Sequence, residues 1–142
     1  MHQARISAIL ITTLLYGCVP FPNVRYYAPA ISGVVTQDGN PVVSAEVRVT
    51  GQFSNNVHIV ASDQAGRFAS EPIRKMLLTA SLMGDPLYGY AIEIVHGGKV
   101  YAGYSESSVG YAPKELKLSC ELAKPIQRGN AKFHCTRQET GA

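Results

Sequence analysis

From Ile31 onward the sequence is a succession of short alternating segments, each closed by turn-forming residues. In SAEVRV, for example, Ala45, Val47 and Val49 fall on one side of an extended chain and polar residues on the other. The letters QDGNP, DQAG and GDPLYG and a Gly-Gly pair mark turns, and no strong helical period interrupts them. About seven strands separated in this way predict an all-β fold, a β-sandwich.

Composition and charge agree with a folded domain. Of 142 residues, 46% are hydrophobic and 16% are charged, so the chain can bury a core. The net charge of +3 is too small for the concentrated basic face that nucleic-acid binding needs, so no nucleic-acid partner is expected. Between Lys114 and Arg137, six basic residues against two glutamates give a local +4. We interpret this segment as a solvated strand face plus a flexible tail, with a polyanion-binding patch as the alternative.

The first seventeen residues carry a different pattern. ISAILITTLL, residues 6–15, is a ten-residue apolar run broken only by Ser and Thr. A helix that spans a bilayer needs about 20 such residues, so this run is too short to span. Its length suits the central region of a secretory signal, with Arg5 in the preceding positive region. Residues 1–17 are therefore predicted to be a signal peptide.

The end of that segment resembles the bacterial lipobox. Leu15 stands at position −3, Gly17 at −1, and Cys18 follows; Tyr16 departs from the pattern, in which position −2 is usually small or lightly apolar. The resemblance implies that Cys18 receives a diacylglyceryl group and becomes the mature N-terminus. Val19 stands where an Asp tends to retain such proteins in the inner membrane, which implies an outer-membrane lipoprotein facing the periplasm. The alternative is a buried free thiol in a cytosolic domain.

A proline-rich segment follows the cysteine. Pro20, Pro22 and Pro29 lie within residues 18–30. Proline fixes φ and biases the preceding residue toward extended geometry, so this segment is predicted to be a semi-rigid tether. The sandwich is then predicted to span residues 31–137, and residues 138–142 to be a disordered tail.

Lipidation of Cys18 would leave two cysteines, Cys120 and Cys135, in an oxidising compartment. Both lie in strand-like sequences, and a bridge between them would close a loop of about 15 residues, worth about 3 kcal/mol on the chain-entropy model. We therefore predict this disulfide. A zinc site using His134 is the alternative, but the usual Cys and His spacings are missing, so neither a metal nor a cofactor is expected.

Two stretches carry a second resemblance. Residues 33–49 read GVVTQDGNPVVSAEVRV, and residues 62–68 read SDQAGRF. They are similar to the opening of carboxypeptidase regulatory-like domains, whose patterns run roughly G-x-V-x-d-x-x-G-x-P-v-x-g-A-x-V-x-v and T-D-x-x-G-x-F. Ser44 stands for the usual Gly and Ser62 for the usual Thr. The resemblance implies a transthyretin-like (prealbumin-like) sandwich and says little about function, because this fold hosts many roles.

The residue types at the key positions of these stretches agree with that fold. Gly39 allows a left-handed turn, Ala45 is small where strands meet, and Gly66 closes a second turn before Phe68 enters the core.

The sequence contains none of the common catalytic motifs. His58, His96 and His134 lie in three separate segments without H-x-H or H-E-x-x-H spacing. His58 is interpreted as a strand-surface residue and His96 as a solvent-facing turn residue. The serines of YSESSVGYAP lack a G-x-S-x-G motif and are interpreted as a polar loop. Asp38 and Asp63 occupy turn positions, where their side chains are expected to cap backbone N–H groups.

Tyrosines are the remaining candidates for binding. Tyr90 and its predicted cross-strand partner Tyr101, together with Tyr104, could supply an aromatic surface for sugar or peptide. The alternative is ordinary cross-strand pairing of aromatic residues.

The sequence thus predicts a lipid-anchored, non-catalytic β-sandwich of the cell envelope that binds or scaffolds an envelope protein or glycan. Strand edges could accept an added strand from a partner. The alternative from another class is a periplasmic metal-handling protein or enzyme that uses His58, His96 or His134. A purely structural envelope stabiliser is a third possibility.

Overall fold

The computed structural model describes residues 21–79 and 85–139. The predicted signal peptide and Cys18 lie outside the described residues. Every regular element within them is a strand, so the predicted all-β class is confirmed. The strands are β1 (Phe21–Ala28), β2 (Ala30–Gln37), β3 (Asn40–Pro41), β4 (Glu46–Gly51), β5 (Val57–Ala61), β6 (Arg67–Ser70), β7 (Ile73–Thr79), β8 (Leu87–His96), β9 (Lys99–Val109), β10 (Glu115–Glu121), β11 (Ile126–Arg128), β12 (Ala131–Phe133) and β13 (Cys135–Arg137).

The contacts divide the described chain into two compact units. The smaller contains residues 21–24 and 76–79, the start of β1 and the end of β7, and these two strands form a two-stranded sheet. The larger contains residues 25–75 and 85–139 and holds the sandwich.

Two main sheets form the sandwich. The β2–β10 sheet runs in the order β13-β10-β2-β3, with β6 also paired to β2, and the β4–β8 sheet runs β5-β4-β8-β9. Among the described residues, seven strands of these sheets are four residues or longer, namely β2, β4, β5, β6, β8, β9 and β10, which agrees with the expected count. The pair β2 and β10 is parallel, and the other pairs in both sheets are antiparallel.

The inward residues of both sheets make one hydrophobic core. The predicted alternation is confirmed in β4, where Val47 and Val49 are fully buried, and in β10, where Leu116 and Leu118 are at most 1% exposed. Since side chains alternate along a strand, one face of each sheet supplies the core and the other is exposed.

The predicted tether is only partly a tether. Strand β1 begins at Phe21, and Tyr27, Ala28 and Pro29 are buried at the edge of the core. The prediction is wrong for this end of residues 18–30 because the extended geometry that proline favours is also the geometry of a strand.

The segment KMLLTASLM, residues 75–83, is long and apolar enough to predict a central strand, but this prediction is wrong for the part that is described. Strand β7 pairs with β1 and with neither main sheet. Arg74, Lys75 and Met76 are exposed, and a central strand covered on both faces does not accommodate such a charged pair. Residues 80–84 lie outside the described part of the chain.

The turns of the second resemblance have the expected geometry. Gly39 and Gly66 have φ of 80° and 73°, and Phe68 is 4% exposed in the core. Ser44, at the position where the family pattern has Gly, is also left-handed, with φ of 57°. Serine in place of glycine therefore puts a β-carbon at a position whose backbone conformation glycine adopts with less strain.

The disulfide prediction is confirmed. Cys120 and Cys135 are bonded and lie directly opposite each other in the β10–β13 pair, and both are buried. The bond attaches the short strand β13 to the β2–β10 sheet. Pairing continues one residue past the predicted domain end, since the Gln138 N–H donates to the Lys117 carbonyl at 2.8 Å.

Candidate functional site

Two of the three candidate tyrosines lie in the core, and Tyr101 is half-buried against it. Tyr90 is fully buried and Tyr104 is 6% exposed, so the predicted aromatic surface is wrong for these two. Tyr101 lies opposite Ile94 and not opposite Tyr90, because the tight two-residue turn sets the register of β8 against β9. Tyr90 lies opposite Glu106 and Tyr104 opposite Ile92, so none of the three has an aromatic residue as its direct cross-strand partner.

A β-bulge at Gly103 brings a carboxylate to the buried tyrosine. The register of β9 shifts by one residue there, which sets Glu106 directly opposite Tyr90. A β-carbon at position 103 would lie 2.9 Å from the Ile92 carbonyl oxygen and 3.1 Å from the Cys135 sulfur. Only glycine fits this close approach.

Glu106 accepts hydrogen bonds from three tyrosine hydroxyls. Tyr88 donates to Oε1 at 3.1 Å, and Tyr90 and Tyr104 donate to Oε2 at 2.9 Å and 3.1 Å. The Tyr90 ring stacks with the rings of both Tyr88 and Tyr104, at centroid distances of 6.3 Å and 6.4 Å. We refer to these four residues as the Glu106 cluster.

The electrostatics of the cluster stabilise a fixed negative charge. Burial alone would raise the pKa of Glu106, but the hydroxyls of Tyr90, Tyr88 and Tyr104 and the charge of Arg137 hold it below its usual value. The pKa values of Tyr88 and Tyr90 are raised above the usual 10.0. Burial is the larger cause, and the hydrogen bond to Glu106 is the second. The pKa of the carboxyl group and the pKa values of the two hydroxyls are therefore both shifted away from pH 7. The arrangement therefore suits holding a charge in place better than transferring protons near pH 7.

Arg128 covers the outer side of the cluster. Its guanidinium lies 4.9 Å from the centroid of the Tyr104 ring and 5.8 Å from that of Phe133. Such cation–π contacts contribute about 0.5–1 kcal/mol each at exposed sites. The contact with Tyr104 ties the β11–β12 hairpin, to which Arg128 and Phe133 belong, to strand β9.

A second carboxylate organises the turn between β2 and β3. Glu121 accepts from the backbone N–H groups of Asp38, Gly39 and Ala123 at 2.8, 3.2 and 3.1 Å, and from the Thr36 hydroxyl at 2.9 Å. Burial opposes ionisation, but these four donors outweigh it and lower the pKa of Glu121 to about 2. The carboxylate therefore fixes the β2–β3 turn to the end of β10.

Glu121→Gln should lower the free energy of unfolding at pH 7 by about 1–2 kcal/mol, because an amide offers one acceptor oxygen in place of two. The folded pKa is depressed, so this stabilisation is complete above the usual 4.5 and is lost as the pH falls toward about 2. Urea unfolding of both proteins at several pH values would show the difference shrinking over that interval. Glu115→Gln, at an exposed position of the same strand, is the matched control and should stay within about 0.5 kcal/mol of the unmodified protein. A difference that does not change with pH would contradict this account.

The two turn aspartates act differently. The Asp63 carboxylate accepts from the N–H groups of Ala65 and Arg67, each at 2.8 Å, which confirms its predicted capping role. Asp38 instead contributes its backbone N–H to Glu121. The serines predicted to form a polar loop lie within β9, where Ser108 is opposite Tyr88, so that interpretation is corrected.

The three candidate histidines lie in separate parts of the described chain. His58 Nδ1 lies 3.2 Å from the Glu71 carbonyl oxygen, His96 ends β8 before the Gly-Gly turn, and His134 makes an edge contact with the Tyr101 ring at 5.1 Å. Within residues 21–79 and 85–139 no three His, Cys, Asp or Glu side chains are close enough together to hold a metal ion.

A groove of about 720 Å³ opens between β5 and β6, the strands at the neighbouring edges of the two sheets. Val57 and Ile59 of β5 are 49% and 60% exposed. The acidic side chains that line it are Glu71 and Glu115. We call this the edge groove. Among the described residues β5 pairs with β4 alone and β6 with β2 alone, so each of these strands has one unpaired edge.

Most of the chain matches a known protein family. Residues 31–125 match a family described as Domain of unknown function (DUF6795). The chain belongs to this family. The DUF6795 match covers about two thirds of the chain and begins where the sandwich was predicted to begin. It includes the Glu106 cluster, whereas Arg128 and Cys135 lie beyond it.

A search of curated proteins finds no match to this DUF6795 member. In the part of the chain that the structure describes, no helix has the length and apolar character needed to cross a bilayer.

Proposed function

We propose that this protein is a lipid-anchored, non-catalytic module of the outer membrane that faces the periplasm and binds or scaffolds an envelope partner. The observation that carries the proposal is the Cys120–Cys135 disulfide. Structural disulfides persist in oxidising compartments and are rare in the cytosol, which supports an envelope location. The bond also occupies both other cysteines, so Cys18 is the single thiol left for modification.

The sequence around Cys18 supports its lipidation. An apolar run too short to span a bilayer precedes it, and Leu15 and Gly17 occupy the lipobox positions. Two or three acyl chains, at about 0.8 kcal/mol per buried CH₂, would make attachment effectively permanent. The similarity to carboxypeptidase regulatory-like domains is part of the same proposal and is supported by the left-handed geometry of Gly39 and Gly66.

Metabolic labelling tests the anchor. Cells supplied with labelled palmitate should give a labelled band for the full chain that fractionates with outer membranes, and Cys18→Ala should remove both the label and the membrane association. Cys120→Ala/Cys135→Ala is the matched control for cysteine loss and should keep the label. An unlabelled protein in the soluble fraction would contradict the proposal.

We assign partner binding to the edge groove and the partner to an extended, basic peptide segment of an envelope protein. An incoming strand could pair with the backbone of β5, while Val57 and Ile59 pack against its side chains. Glu71 and Glu115 favour a basic segment and would oppose an acidic one.

Ile59→Lys should abolish crosslinking of the lipidated chain to this partner, because a lysine on an edge strand opposes strand addition. Val100→Lys is the matched control, since Val100 and Ile59 are both 60% exposed. Crosslinking in cells followed by purification of the tagged chain measures the effect, and raised salt should weaken capture. A partner retained equally by both variants would exclude the edge groove.

A further inference from the structure

Four large apolar side chains are exposed at one end of the β4–β8 sheet. Phe53, Leu87, Val109 and Tyr111 are 50%, 48%, 61% and 66% exposed. Leu87 and Val109 lie directly opposite each other, so their side chains share one face. We refer to these four residues as the Phe53–Tyr111 patch.

Local contacts bring the other two members of the patch to this end. The Phe53 ring lies over Gly89, where a β-carbon would be 3.0 Å from a ring carbon. The Gly110 N–H donates to the Pro86 carbonyl at 2.6 Å, which holds Tyr111 beside the start of β8. An exposed apolar cluster on a soluble domain commonly marks an interaction surface.

The chain joins the sandwich at the same end. Arg25, the first residue of the larger unit, donates from Nη2 to the Leu87 carbonyl at 2.5 Å. Only six residues lie between Cys18 and Arg25, so the two Cα atoms are at most about 25 Å apart even in a fully extended chain. A lipid attached to Cys18 would therefore hold the patch close to the bilayer.

We propose that the Phe53–Tyr111 patch is a membrane-contact surface that rests in the lipid interface. This inference depends on the proposed lipidation of Cys18. Tyr and Phe favour the headgroup region, where an apolar ring and a polar tip are both accommodated, and Leu and Val add apolar area. The short connection to the lipid brings the domain to the membrane, and the patch determines which end faces it. The edge at His96 and Lys99 then points away from the bilayer.

The absence of tryptophan from the sequence permits a clean test. Val109→Trp and Val100→Trp each introduce a single fluorophore on β9, at positions 61% and 60% exposed. The two positions are nine residues apart, about 30 Å along a strand. The full lipidated chain is reconstituted into phosphatidylethanolamine–phosphatidylglycerol vesicles that carry a nitroxide on the headgroup.

The expected result is loss of fluorescence and a blue shift for Val109→Trp, with neither change for Val100→Trp. Flotation of the same samples reports lipid attachment separately. Protein that floats while both tryptophans are quenched equally, or while neither is quenched, overturns the membrane-contact surface and leaves the lipid anchor intact. A Val109→Trp chain that is neither quenched nor blue-shifted in the vesicles but is blue-shifted in native membranes assigns the patch to a protein partner and overturns the proposal. Failure to float overturns both the anchor and the patch.

Discussion

Replacing both Cys120 and Cys135 with alanine should lower the free energy of unfolding by about 3 kcal/mol. The bond spans 15 residues, and removing it restores the conformational freedom of that loop in the unfolded chain. A loss of this size is a large fraction of the 5–15 kcal/mol that typically stabilises a domain. Urea unfolding of the double variant measures it directly.

Reduction provides an independent check on the same bond. Both cysteines are at most 1% exposed, so a reductant should act only after the β10–β13 pair opens. Thiol release should therefore accelerate with urea. A double variant within about 0.5 kcal/mol of the unmodified protein would contradict a stabilising role for the disulfide.

Glu106→Ala should destabilise the protein by about 2–3 kcal/mol. The substitution leaves three tyrosine hydroxyls without their common acceptor, and Tyr90 is fully buried. Urea unfolding measures the loss, and Glu93→Ala, at an exposed position of β8, is the matched control. In a double-mutant cycle, Tyr90→Phe should cost less in the Glu106→Ala background than alone, because the bond is already lost. If the free-energy costs of the two substitutions simply add, the residues of the cluster do not act as one unit.

The Glu106 cluster also predicts that the stability of the folded protein falls at alkaline pH. The pKa of Tyr88 and of Tyr90 is raised in the folded state, so their contribution to stability is complete below the usual 10.0 and is lost as the pH rises above it. The ultraviolet absorbance of ionised tyrosine should therefore increase together with unfolding. Full ionisation of all tyrosines in a folded protein would contradict this expectation.

Local patterns were sufficient to predict much of the fold. Alternation in β4 and β10 identified the buried faces, because a strand repeats every two residues and needs no knowledge of its neighbours. The turn at Gly39 was predictable from residue types, since few residues tolerate positive φ. The Cys120–Cys135 bond followed from cysteine count and spacing.

Features that depend on strand partners were missed. Strand β1 was concealed in a proline-rich segment, because pairing with β7 is a long-range property that composition does not reveal. The Glu106 cluster depends on the register set by the hairpin and by the bulge at Gly103. One signal was present, since Tyr104 and Glu106 are two residues apart and an unbroken strand would place them on the same face.

The most direct test of the central claim is the intact mass of the mature protein purified from membranes. Lipidation predicts a chain that begins at Cys18 and carries the mass of a diacylglyceryl group, with Cys120 and Cys135 oxidised. A chain that still begins at Met1, with a free thiol at Cys18, would contradict the lipid anchor and the membrane-contact surface that depends on it.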